Sequence, residues 1–109
     1  MQNVDLAFLE PALQSFIETS IHRAAHSGDM QFRYRITAAE IKAATGRQRL
    51  HDGVLGEYEE FFERQGVRAS YDETFSAFEV AINLNRVALS PTQARFLSTA
   101  MSLFRAEHS

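Results

Sequence analysis

Arg47, Gln48, Arg49 and His51 are the densest set of side chains in this sequence able to do recognition chemistry. An arginine fork matches the O6 and N7 acceptors of guanine, and a glutamine amide matches N6 and N7 of adenine. The stretch therefore has the donors needed to read base edges in double-stranded DNA. Arg33, Arg35 and Arg68 add guanidiniums suited to bidentate contact with phosphate oxygens. Glu57, Glu59, Glu60 and Glu63 oppose this chemistry. A duplex tolerates them only if their face turns away, so they read as a solvated face or as a docking surface for a basic protein partner.

Other chemistries find less support. His22 and His26 stand four apart, the spacing that puts two imidazoles on one helix face, but zinc takes three or four ligands and only Asp29 is near as a third. They read as surface residues, favourable near a helix C-terminus when protonated. No metal or cofactor is expected. The sequence contains no nucleophile elbow, GxxxxGK[ST] loop, GxGxxG or HExxH motif, so no enzyme is expected either.

The elements that must position these residues follow from periodicity and capping. Pro11 suits the first position of a helix, and Leu13, Phe16, Ile17, Ile21, Ala24 and Ala25 recur at three- and four-residue intervals. This predicts a first helix over about 11–26, with an earlier start and a kink as the alternative. Met30, Phe32, Tyr34 and Ile36 alternate with polar residues, the period-two pattern of a short strand. Thr37 and Glu40 have capping-box spacing for a brief helix over 38–44, which Gly46 can end. A longer helix is expected from about Gln48 to Gln65, carrying Leu50, Val54, Tyr58, Phe61 and Phe62 inward with Leu55 at the margin; Gly53 and Gly56 weaken its start, and Asp52 is an alternative N-cap. Alternation through Val67–Tyr71 and Phe78–Leu84, around a polar turn at Asp72-Glu73-Thr74, predicts a β-hairpin. Ser90-Pro91-Thr92-Gln93 opens a last helix to about Ala106, with Ala94, Leu97, Met101 and Phe104 as its apolar stripe.

The segment Thr37–Gly66 is thus a helix-turn-helix outline, with a strand before it and a hairpin after it. The order helix, strand, helix, helix, strand, strand over residues 11–84 resembles the winged helix-turn-helix superfamily. The resemblance implies an α+β fold with a small antiparallel sheet and an extra C-terminal helix. It also implies the tip Arg47, Gln48, Arg49 and His51 as the DNA-reading position, because the second helix of such a motif meets base edges with its N-terminal residues. Arg33, Arg35 and Arg68 would then contact flanking phosphates. The superfamily includes transcription regulators, plasmid or phage maintenance factors, and modules that bind only protein.

At 109 residues, 45% hydrophobic and 23% charged, the chain has the length and composition of one globular domain. No apolar run approaches the roughly 20 residues of a membrane span, and the opening MQNVDLAFLE lacks signal-peptide features, so a cytoplasmic location is expected. Absence of cysteine excludes disulfides and thiolate chemistry. The net charge of −3 is unevenly spread. Residues 23–49 hold six basic side chains against two acidic ones, a local +4; residues 50–79 hold two against eight, a local −6. The basic segment suits a phosphate backbone and the acidic one suits a basic protein. The leading expectation is a DNA-binding regulator or maintenance factor. The alternative is a protein-binding inhibitor or assembly adaptor, using the acidic helix or the apolar terminal helices. The last helix needs apolar cover, from the first helix or from a second copy in a homodimer.

Overall fold

Pro11 does not start the first helix. In the computed structural model, which describes residues 1–109, helix α1 runs Asn3–Ser27 with Pro11 inside it. Its start comes from a capping box that the apolar pattern does not show: the Gln2 backbone N–H donates to Asp5 at 3.0 Å. Proline removes one helical hydrogen bond at Pro11. That loss is offset because the added turns place Asp5 and Leu9 on the same buried line as Leu13, Ile17, Ile21 and Ala24.

The remaining elements are β1 Gln31–Thr37, α2 Ala38–Thr45, α3 Asp52–Arg64, β2 Arg68–Asp72, β3 Ala77–Asn83 and α4 Pro91–Glu107. The fold is α+β, with four helices and one three-stranded antiparallel sheet in the order β1-β3-β2. Both predicted capping boxes form: Thr37 Oγ1 accepts from the Glu40 N–H, and Ser90 Oγ accepts from the Gln93 N–H. Helix α3 starts four residues later than about Gln48, with His51 rather than Asp52 as its N-cap. The two interior glycines lower the helical propensity of this start.

The inner face of the sheet carries Phe32, Ile36, Phe78, Val80 and Ile82 into a core completed by α1, Ile41 of α2, and Tyr58 and Phe62 of α3. Tyr34 stacks on Phe16 at 4.7 Å between ring centres, and its hydroxyl bonds Ser20 at 2.8 Å. Helix α4 folds along α1 of its own chain. Gln93 donates to Gln14 at 2.5 Å and Ala100 is buried. Its inward set is offset from the predicted stripe: Leu97, Met101 and Phe104 are half-buried, Ala94 is exposed, and Phe96 and Leu103 are 61% and 55% exposed. No helix is long and apolar enough to cross a membrane.

Candidate functional site

The link between α2 and α3 is an irregular loop over residues 46–51, so Gln48, Arg49 and His51 stand before the helix and not on its first turn. All three side chains are exposed. Arg47 is placed differently. Its Nε donates to Asp5 Oδ1 at 2.9 Å and its Nη2 to Asp5 Oδ2 at 2.8 Å, a bidentate pair tying the loop to the start of α1. Tyr58 of α3 donates its hydroxyl to the same carboxylate at 2.5 Å. Asp5 is fully buried, and Arg47 keeps only 18% of its side-chain surface. The Arg47 hydrogen bonds hold the Asp5 carboxyl down to about 2, outweighing the burial that pushes it up; the pairing in turn raises Arg47. Burial, with help from Asp5, pushes the Tyr58 phenol well above its ordinary value. Two of the five N–H donors of Arg47 are thus engaged by Asp5, and its guanidinium is tied to the start of α1.

The sheet's outer face is organised in rows across the strands. In one row Arg35 lies opposite Glu79, which lies opposite Ser70. Arg35 bonds Glu79 at 2.8 Å through Nε and stacks over Phe75 at 4.6 Å, so this arginine is already neutralised. In the next row Arg33 and Arg68 both lie opposite Ala81, one on each side. Neither has an ion partner: the chain's three ion pairs are Met1–Glu57, Arg35–Glu79 and Arg47–Asp5.

This row opens onto a hollow of about 960 Å3 at the end of the sheet where β1 and β2 begin and β3 ends. Arg23 and Arg86 complete a set of four unpaired arginines around it, with Gln31 and Asn83 beside them and Asp29, Glu59 and Glu63 on the rim. Arg23 reaches in from α1, its guanidinium held 4.5 Å over the Phe32 ring. Arg86 sits in a turn closed by hydrogen bonds from the Arg86 and Val87 N–H groups to the Asn83 carbonyl. That turn is pressed against Gly66, where an added Cβ would collide with the Arg86 carbonyl.

The predicted site residues are therefore divided. Eighteen residues of α1 separate Asp5, beside the Arg47–His51 loop, from Arg23 at the hollow, about 27 Å at the helical rise. Between them, the outer face of α3 exposes Asp52, Gly53, Gly56, Glu59, Glu60, Glu63 and Arg64. The hairpin tip carries Asp72 and Glu73 and no basic residue. His22 and His26 join no group of three or more side chains spaced to hold a metal. Sequence reasoning missed Arg23 and Arg86 because nothing local marks them; the register that aligns Arg33 and Arg68 on Ala81 is the signal that would have drawn attention to this end of the sheet. The chain matches no protein-family model, no curated protein and no solved structure.

Proposed function

We propose that this chain is a winged-helix module that engages a basic protein partner through the outer face of α3, as an inhibitor or an assembly adaptor. The winged-helix reading is supported by the element order, which puts the β2–β3 hairpin after the α2–α3 pair, and by the sheet order β1-β3-β2. The observation that carries the functional reading is the sign of the charge on the two elements that meet a duplex in such folds. Helix α3 offers Asp52, Glu59, Glu60 and Glu63 outward, and the hairpin tip offers Asp72 and Glu73. A phosphate backbone is repelled by that surface, whereas a lysine- and arginine-rich protein surface is complementary to it. The test is affinity capture from a cell extract treated with nuclease, comparing the native chain with Glu59→Lys/Glu60→Lys/Glu63→Lys. A protein retained by the native chain after nuclease and lost by the triple variant supports the reading. Equal retention by both chains counts against it.

DNA binding is the second reading, favoured by Gln48, Arg49 and His51 standing exposed on a loop that the Arg47–Asp5 pair holds in place. In this reading the loop inserts by its tip and α3 stays clear of the duplex. Fluorescence anisotropy with a pool of random duplexes across a salt series tests it, since phosphate contacts weaken steeply as salt rises. Sequence-selective capture lost on Arg49→Ala/His51→Ala would favour this reading, and no binding at low salt would remove it.

A further inference from the structure

We propose that the hollow at the end of the sheet is a binding site for a phosphomonoester group, clamped between Arg33 and Arg68. Both arginines project from the outer face on either side of Ala81, so only a methyl group lies between them. Their backbones are two strand spacings apart, about 10 Å, a distance that two long side chains close onto one anion from opposite sides. The contrast with the neighbouring row is informative. There the central strand supplies Glu79 to neutralise Arg35, while here the central strand supplies alanine and leaves both guanidiniums without a partner. Arg86 lines the same hollow, and Arg23, held over the inner-face Phe32 ring instead of by a carboxylate, adds positive charge at the end of the sheet without joining the clamp. A planar guanidinium fork suits two phosphate oxygens at once.

The rim decides between a compact ligand and a nucleic-acid strand. Asp29, Glu59 and Glu63 border the same hollow, so a polymer running through it would carry further phosphates past three carboxylates. A terminal phosphate meets only the arginines. It also carries a charge of about −1.5 to −2 at neutral pH, a better match for two guanidiniums than the single charge of a diester. The volume of about 960 Å3 accommodates a ligand of nucleotide size. The hollow shares Glu59 and Glu63 of α3 with the protein-partner face, but its clamp lies on the strands, so Arg33→Gln/Arg68→Gln tests the clamp without altering α3.

Isothermal titration at low ionic strength with inorganic phosphate, a nucleoside 5′-monophosphate and the parent nucleoside tests the proposal, with an oligonucleotide lacking terminal phosphate as competitor. Both phosphate-bearing probes are expected to bind and the nucleoside is not. Arg33→Gln/Arg68→Gln should weaken binding about tenfold or more, because each substitution removes charge-assisted hydrogen bonds. Arg95→Gln, on the exposed side of α4, should leave it unchanged. Monophosphate binding should strengthen from about pH 5 to pH 7 as the second phosphate proton is lost near pH 6. No titration by either phosphate probe, equal binding by the Arg33/Arg68 double variant, or stronger binding by the oligonucleotide would overturn the proposal.

Discussion

Arg47 and Asp5 are 42 residues apart in the chain and joined by two hydrogen bonds of 2.9 and 2.8 Å, with the carboxylate fully buried. Removing one member of a buried ion pair leaves the other without compensation, which costs about 3–5 kcal/mol. Asp5→Asn is therefore expected to destabilise the chain by roughly 3 kcal/mol near pH 7, at the low end of that range because Arg47 keeps some solvent contact. The pair also has a pH signature. The folded-state value of Asp5, about 2, lies below its ordinary 3.8, so between these values the unfolded chain binds more protons. The stabilisation is fully present above about pH 4 and lost as pH falls towards 2. Urea unfolding at several pH values should show the gap between native and Asp5→Asn chains closing across that window. A gap that stays constant would mean the carboxylate is not held down.

Tyr58 shares the same carboxylate but in a different way. Its ring is packed in the core, 5.8 Å from Phe78 in a stacked arrangement, while its hydroxyl serves Asp5. Tyr58→Phe keeps the ring and removes one hydrogen bond to a charged acceptor, worth about 1.5–3 kcal/mol. Tyr58→Ala also empties the core position and should cost about 3–5 kcal/mol. Because Tyr58 and Arg47 bond the same group, Tyr58→Phe combined with Asp5→Asn should be less destabilising than the two single effects added together. Additivity in denaturant titrations would indicate that the hydroxyl finds another partner.

That knot also marks the boundary of what the letters reveal. Capping boxes at Thr37–Glu40 and Ser90–Gln93, strand alternation and the inward residues of α3 are local signals, and the fold realises them. The start of α1 is not local in the same sense. Pro11 argues for a boundary, and what overrides it is burial of Leu9 and a charge pair with a residue on another element. The same holds for the candidate sites. Arg47 looks identical in sequence to its exposed neighbour Arg49, and only the distant Asp5 and Tyr58 separate their roles. Arg33 and Arg68 become a facing pair only through the register of both strands on Ala81.

Two glycines with nearly the same backbone should respond differently to alanine. Gly46 at the end of α2 has φ +76 and open space where a Cβ would go, so Gly46→Ala meets only the left-handed penalty of about 1–2 kcal/mol. Gly66 has φ +72, but its Cβ would strike the Arg86 carbonyl. Gly66→Ala carries the same penalty plus displacement of the 83–87 turn, and should cost clearly more than Gly46→Ala in thermal unfolding. It should also disturb the hollow by moving Arg86. Equal costs at the two positions would show that the turn yields freely.

Helix α4 offers a comparison between two phenylalanines eight residues apart. Phe104 is half-buried, and its ring lies so close to Gly28 that an added Cβ there would come within 2.5 Å of it. Phe96, two turns earlier and about 80° round the helix, is 61% exposed. Burial of apolar area is what attaches α4 to α1, so Phe104→Ala should destabilise by about 2 kcal/mol, less than a fully buried phenylalanine because part of the ring already meets water. Phe96→Ala should stay within about 0.5 kcal/mol, as surface changes do. Hydrogen exchange extends the comparison: Phe104→Ala should raise exchange in α4 before it does so in the sheet, because α4 contacts the rest of the chain chiefly through α1. If Phe96→Ala were the more destabilising change, α4 would pack through its Phe96 side, and the attachment described by Gln93, Ala100 and Phe104 would be wrong.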